Sequence, residues 1–369
     1  MYGSSTVFVM VRLAIIGTGS MAATHARNFS AMRGVTLAAC CDIDGAKANA
    51  FAGKWKIPRW YSDCSELLEK ESLDGVSVVT PDMLHAPLSL AAMARGIPVL
   101  CEKPLATTLV DARRMRDSAA RRRLVTMVNF SYRNSSGAQA AAELIRAGKI
   151  GRIMHVEASY LQSWLVQDIW GDWRTTPALT WRLSTRHGSA GTLGDIGCHI
   201  YDLVGLLCGD ISEISCRLKT FSKAVKGNRI GPYVLDANDS FVSSVALAAG
   251  AIGTVHATRW ATGHYNSLRV CVYGDEGAVE LDLDRDPSSY RLVRGRKAVR
   301  AAQWRVVPCK TTPTQYQRFI ASIRTGAEDP SDFANGEKAQ AYLDASIISS
   351  RTGQPVKVKL REFAKRNGS

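Results

Sequence analysis

The run R-L-A-I-I-G-T-G-S-M-A, Arg12 to Ala22, decides the fold. Leu13 to Ile16 form a short apolar run of the kind a doubly buried strand needs, and a helical pattern begins at Ser20. Between them Gly17, Gly19 and Ala22 occupy the G-x-G-x-x-G/A positions. The first glycine makes the tight strand-to-helix turn, the second lets backbone approach a pyrophosphate, and the small third residue lets helix lie close to strand. Backbone N–H groups at Ser20 and Met21 then stand at a helix N-terminus, where negative charge is favoured. Twenty residues past Ala22, Asp42 ends the next apolar run, V-T-L-A-A-C-C-D. A carboxylate there accepts hydrogen bonds from an adenosine ribose and repels a 2'-phosphate, so the pattern predicts a dinucleotide site that takes NAD rather than NADP, with Asp44 as a substitute for Asp42.

Outward from this turn the chain alternates strand-like runs with helical patterns as far as L-V-T-M-V-N-F. That alternation predicts βαβ units and an α/β Rossmann domain, a doubly wound parallel sheet, over residues 10–131. After Tyr132 the texture changes to β-like runs joined by short glycine-containing turns such as Gly274-Asp275-Glu276-Gly277. Residues 132–369 are therefore expected to form an α+β domain with a large, mostly antiparallel open sheet. No run of eighteen apolar residues occurs, and the first ten residues read as a loose extension, so no membrane partner is expected and the location is read as cytoplasmic.

The chain has 369 residues, 46% of them hydrophobic, and a formal charge of +14. The basic residues are scattered apart from Arg113-Arg114 and Arg121-Arg122-Arg123, which reads as a basic surface rather than a nucleic-acid site. Nine cysteines without a C-x-x-C pair argue against a disulfide framework or a structural zinc.

Three further stretches carry chemistry. Thr80, Pro81 and His85 in T-P-D-M-L-H follow a buried strand and fall on the carboxyl edge of the sheet, where ligands bind in open α/β sheets. Glu102 and Lys103 in C-E-K-P-L-A fall on the same edge, and the following proline restrains the lysine. In G-D-I-G-C-H-I-Y-D, Asp195, His199 and Asp202 are spaced by four and three residues and fall on one stripe of a helix. Such a stripe could be a solvated face, a metal site or an acid/base; no second histidine sits at ligand spacing, so no metal is expected.

The ordered set G-T-G-S-M-A, T-P-D-M-L-H, C-E-K-P-L-A, L-I-R-A-G-K-I-G (144–151) and G-T-L-G-D-I-G-C-H-I-Y-D (191–202) resembles the family of glucose-fructose oxidoreductase, inositol dehydrogenase and the rhizopine-catabolism oxidoreductases, called Gfo/Idh/MocA. The resemblance implies that Lys103 matches the family's E-K-P lysine, and that Asp195 and His199 match the pair that meets sugar or polyol beside the nicotinamide. It also implies an outer sheet face that mediates a homodimer or homotetramer. Oxidising a secondary alcohol needs a base on the hydroxyl and stabilisation of the alkoxide, which suits His199 and Lys103, with Asp195 anchoring a substrate hydroxyl or the imidazole and Asp202 bracing the helix. Cofactor contacts are expected at Gly17, Gly19, Ser20, Met21, Asp42, Thr80, Pro81, His85, Glu102 and Lys103. Substrate contacts are expected at Lys103, Arg133, Trp164, Trp173, Asp195 and His199. Trp164, Trp170, Trp173 and Trp181 offer ring faces to a sugar, with Asp172, Arg174 and Arg182 offering hydrogen bonds to hydroxyls or a carboxylate, or else the segment packs at a subunit interface. The rival readings are a glycosidase of the same fold that recycles bound NAD, and a non-catalytic NAD-binding sensor.

Overall fold

Six strands, β1 (Val11–Ile16), β2 (Val35–Cys41), β3 (Arg59–Tyr61), β4 (Gly75–Val78), β5 (Val99–Cys101) and β6 (Thr126–Val128), pair in the order β3-β2-β1-β4-β5-β6, every pair parallel. In this computed structural model, which describes residues 10–360, the sheet forms the centre of a first compact unit, made of the described residues up to Asn134 together with 312–337. Leu13, Ala14 and Ile15 are without exposure, as a strand covered on both faces requires. The strand order reverses between β1 and β4, and because all six strands run the same way, the loops after β1, β4, β5 and β6 emerge on one edge. Gly17, Thr80, Glu102 and Asn129 begin or lie in those loops.

The return of residues 312–337 to this unit has no counterpart in the sequence-based boundary at 131/132. The helix Gln315–Thr325 opens with a capping box of Thr314 and Gln317 and buries Tyr316, Phe319 and Ile320 in the same apolar core as Leu13, Ile15, Phe29 and Met127. Full burial of such side chains contributes about 1.5–3 kcal/mol each, which is what draws the segment back across the sheet.

The second unit comprises residues 135–311 and the described residues from Lys338. Its strands are β7 (Ile153–Gln162), β8 (Ile211–Lys219), the short β9 (Arg229–Ile230) and β10 (Tyr233–Val234), β11 (Ser240–Leu247), β12 (Ile252–Thr258), β13 (Asn266–Gly274), β14 (Gly277–Asp282), β15 (Ser289–Arg294), β16 (Arg305–Pro308) and β17 (Val356–Lys357). Strands β9 and β10 pair with each other, and the other nine form one sheet in the order β16-β15-β14-β13-β7-β12-β11-β8-β17. Only β7 and β12 pair in parallel. Along β11, Phe241, Ser243, Val245 and Leu247 are buried while Val242 and Ser244 are exposed, the alternation of a sheet with one covered face. The helix Cys198–Cys208 lies on that covered face, with Tyr201 stacked on Phe241 at 5.8 Å and its hydroxyl bonded to Ser243 and Ser346.

All nine cysteines are free. Burial pushes the Cys40 thiol up to about 11 and the Cys208 thiol up to about 12, so these behave as core side chains. Among the described residues no helix is long and apolar enough to cross a membrane, and no group of three His, Cys, Asp or Glu is placed to hold a metal.

Candidate active site

At the sheet edge of the first unit, Gly17 adopts φ +93°, and a Cβ there would stand 2.5 Å from the Val79 carbonyl oxygen. Only glycine fits, because β1 passes into the helix Ser20–Ser30 directly beside the end of β4. No side chain caps that helix. Ser20 and Met21 form the first turn of this uncapped helix, whose leading N–H groups have no partner within the helix, and both residues are exposed. The Thr80 hydroxyl is buried beside this turn without a hydrogen-bond partner. A close-approach turn, an uncapped helix start and an orphaned hydroxyl are what a pyrophosphate-containing cofactor needs, so the residues present fit the dinucleotide expected from the sequence.

Asp42 follows β2 and is held in place locally: Oδ2 accepts from Thr18 N (2.9 Å) and Thr18 Oγ1 (2.8 Å), and Oδ1 accepts from Asp44 N (3.0 Å). Asp44 itself accepts from Ala46 N and Lys47 N at the start of the helix Gly45–Trp55, so it serves as a helix cap and not as a substitute for Asp42.

Glu102 and His85 occupy different roles from those the sequence suggested. The Glu102 carboxylate turns inward, accepting from Asn129 Nδ2 (2.7 Å), meeting His25 Nε2 at 2.9 Å, and bonding the Lys103 amide at 3.2 Å. His25 Nδ1 continues to Ser77 Oγ, and Asn129 Nδ2 also reaches Tyr316 Oη at 3.2 Å. Glu102 thus anchors the base of the Lys103 loop instead of facing a cofactor. His85 is without exposure, with Nδ1 2.7 Å from the Pro104 carbonyl and Nε2 2.9 Å from the Thr80 carbonyl. Carbonyls only accept, so both ring nitrogens donate and the ring is an imidazolium. Burial opposes that charge, but Cys101, Asp82 and the Pro104 carbonyl outweigh it and lift the imidazole to about 10. With both nitrogens committed, His85 is a brace between the Thr80 and Pro104 loops and not a ligand residue.

In the second unit the stretch around Asp195 departs from a regular helix. Leu193–Gly197 is a π turn that runs into the α-helix Cys198–Cys208, so Asp195 lies in the widened turn and His199 in the regular helix after it, and the two do not share a plain 3.6-residue stripe. Gly197 allows the turn to lie against the sheet, since a Cβ there would meet the Phe241 ring at 2.9 Å. Asn238 clamps the turn's start, accepting from Leu193 N (2.9 Å) and donating to the Ala190 carbonyl (3.2 Å). His199 is 6% exposed, its ring 6.5 Å from that of Tyr160, whose hydroxyl donates to Asn266. Asp202 is buried in the helix; the Tyr342 phenol is pushed up mainly by its own burial, with Asp210 and then Asp202 adding to it.

Asp195 Oδ2 accepts from Arg259 Nη2 at 2.8 Å, with Arg182 Nε at 3.8 Å. Arg259, one residue beyond β12, has no exposure; it lies 4.9 Å over the Trp164 ring and donates to the Arg182 carbonyl. Burial pushes its pKa down and Asp195 opposes this. A second pair, Lys223 and Asp239 at 2.7 Å with neither side chain exposed, is tied to it through the backbone, the Arg259 amide donating to the Asp239 carbonyl.

The structure therefore brings Asp195 and His199 together in one unit, and Gly17, Gly19, Ser20, Met21, Asp42, Thr80, Pro81 and Lys103 to one sheet edge in the other. It places three substrate candidates elsewhere. Trp164 and Trp173 are 1% and 2% exposed, packed with Leu165, Leu183 and Leu235, so neither offers a ring face to a sugar. Arg133 is buried and donates to the Pro330 carbonyl and Asn335. The two tryptophans are core because a loop of this length needs its own apolar cluster. A cleft of about 300 Å³ lined by residues 165–168 and 172–174 shares no residue with the Asp195 constellation. Sequence reasoning missed Arg259, Lys223, Asp239, His25 and Asn129, whose partners lie far along the chain. The one signal available for Arg259 was a charged residue closing an otherwise β-like run, V-H-A-T-R-W.

The Glu102 network gives an acid-stability prediction. Burial raises the Glu102 carboxyl, but the His25 hydrogen bond and charge, with Lys103 and Asn129, outweigh it and hold the group at about 2 against an ordinary 4.5. A depressed carboxyl contributes stability above its unfolded value and loses it as pH falls toward the folded one. Urea midpoints at pH 5 and pH 3 should fall further for the wild type than for Glu102→Gln; parallel slopes would contradict this role.

Two family models match the chain: "Oxidoreductase family, NAD-binding Rossmann fold" over residues 11–130 and "GFO/IDH/MocA C-terminal domain" over residues 138–280. The levoglucosan dehydrogenase of Pseudarthrobacter phenanthrenivorans is 28% identical over 302 residues, 74% of each chain. The D-apiose dehydrogenase of Paraburkholderia graminis is 27% identical over 95% of this chain and 90% of its own. A solved structure of levoglucosan dehydrogenase in complex with NADH superposes with a TM-score of 0.84 at 25% identity, covering 95% of this chain and 100% of that one. The fold, the cofactor cradle and both family matches agree, and the chain belongs to the GFO/IDH/MocA family of NAD-dependent oxidoreductases.

Proposed function

We propose that the protein oxidises a secondary hydroxyl of a sugar or cyclic polyol, with NAD as the hydride acceptor, using His199, Asp195 and Lys103. The observation that carries this reading is the π turn at Asp195 running directly into the buried helix that carries His199 four residues on, with the carboxylate bonded at 2.8 Å to the wholly buried Arg259 guanidinium. The relatives named for levoglucosan, D-apiose and inositol support the substrate class.

When bound, NAD supplies the electrophilic carbon that takes the hydride. The chain's residues divide the remaining work. Ser20 and Met21 amides seat the pyrophosphate at the uncapped helix, Gly17 and Gly19 give it room, and Thr80 and Pro81 flank it from the end of β4. Asp42, oriented by Thr18, accepts from the adenosine ribose and selects against a 2'-phosphate. His199 takes the hydroxyl proton as the hydride leaves the same carbon, and Lys103 donates to the oxygen as alkoxide charge develops. Asp195, held by Arg259, accepts from a neighbouring substrate hydroxyl, fixing which carbon faces the acceptor.

His199→Ala and Lys103→Met should each lower kcat by about 10²–10⁴ in a spectrophotometric assay of NADH formation, the range for loss of a general acid/base. Titration with NADH should give Kd values close to wild type for His199→Ala. Wild-type turnover in either variant, or glycoside cleavage by the wild type without net NADH, would overturn the reading, the second in favour of a redox-recycling glycosidase.

The open face of the nine-stranded sheet is assigned to self-association as a homodimer or homotetramer, because it leaves Val242 60% and Ile252 61% exposed. Light scattering should report a dimer or tetramer that Val242→Lys weakens; a monomeric wild type would contradict this assignment.

A further inference from the structure

The charges around Asp195 do not cancel. Lys223 and Asp239 neutralise each other at 2.7 Å, and Arg259 and Asp195 do so at 2.8 Å. Arg182 is what remains: its Nε lies 3.8 Å from the Asp195 oxygen that Arg259 already occupies, too far for a hydrogen bond. Its guanidinium is held in place by the Trp181 ring at 4.8 Å and by a hydrogen bond from Nη1 to the Ala178 carbonyl. That bond uses one of five N–H donors, and the side chain keeps 32% of its surface open. A planar donor fork, already immobilised and beside the carboxylate assigned to substrate, matches the two oxygens of a carboxylate and loses little entropy in binding one. The chain as a whole carries +14, which draws anions toward it over distances longer than any contact.

We propose that the substrate is a sugar acid, an aldonate or uronate whose carboxylate pairs with Arg182 while Asp195 accepts from an adjacent hydroxyl. This rests on the dehydrogenase reading above and names its substrate class. The step is the same: the C–H hydride passes to the nicotinamide, the O–H proton to His199, and a C=O bond forms at the carbon between them, the carboxylate taking no part in the chemistry. Two hydroxyls of a neutral sugar would leave the excess charge unanswered. A phosphate monoester carries about twice the charge of a carboxylate and needs more donors than the single fork Arg182 offers.

The test is a set of matched substrates with the full-length protein and NAD: glucose with glucuronate and gluconate, galactose with galacturonate, and glucose 6-phosphate. The proposal expects kcat/KM for at least one acid to exceed its neutral partner by about 30-fold or more, the range for a charge pair formed away from bulk water. In Arg182→Gln that ratio should fall to within a few-fold of one, and Arg182→Lys, which keeps the charge but not the fork, should fall between; circular dichroism and NADH binding show that each variant is folded. Equal use of acid and neutral sugar, a ratio untouched by Arg182→Gln, or a preference for the phosphate would overturn the proposal. Turnover of neutral sugars alone would sink it while leaving the dehydrogenase reading intact. NAD binding with no NADH from any sugar would remove both.

Discussion

An ionised group taken out of water costs several kcal/mol unless an opposite charge and hydrogen bonds meet it, and each unit of this protein sets its reactive residues on pairs that satisfy that demand. Behind Lys103 the pair is Glu102 with His25, completed by Asn129. Behind Asp195 it is Arg259, wholly buried, with the Lys223–Asp239 pair joined to it by a backbone hydrogen bond. At Asp195 a partly exposed carboxylate is held by a buried guanidinium, and at Lys103 a buried carboxylate holds the backbone of the loop. This gives the reacting groups set positions, because moving either would strand its partner's charge in apolar surroundings.

Close backbone approach plays the matching part at the cofactor end. Gly17 meets the Val79 carbonyl where β1 and β4 part, and the helix that follows starts without a cap. A capping Ser or Asp at residue 19 would satisfy amides that a pyrophosphate would otherwise meet, at a gain in stability over glycine of a few tenths of a kcal/mol. The sequence forgoes that stabilisation where binding requires it, and the same trade recurs in the π turn at Asp195, where regular helical hydrogen bonding gives way.

Local patterns carried most of the fold into view. The doubly buried runs around Gly17, the helical stretches between them and the short turns of the second half announce a Rossmann sheet and an antiparallel one, since period and turn chemistry are properties of neighbouring residues. Long-range partners were hidden. Nothing local marks Phe319 as core of the first sheet, because its neighbours Leu13 and Met127 lie hundreds of residues away. Glu102, His85, Arg133, Trp164 and Trp173 have residue types that suit ligands, and only burial with committed partners separates a brace from a contact. His85 is the clearest instance: a histidine on the ligand edge is available in sequence, and unavailable once two carbonyls hold both its nitrogens. Arg259 is the converse, a buried cation whose importance rests on a carboxylate 64 residues away.

The central claim is that Lys103, Asp195 and His199 serve one reacting carbon. The most direct measurement is a crystal structure with NADH and a sugar acid bound. The account predicts a single substrate hydroxyl within hydrogen-bond reach of both Lys103 Nζ and His199, its carbon facing the nicotinamide, a second hydroxyl on Asp195 and the carboxylate on Arg182. A substrate bound away from His199, or a nicotinamide turned from that carbon, would contradict it.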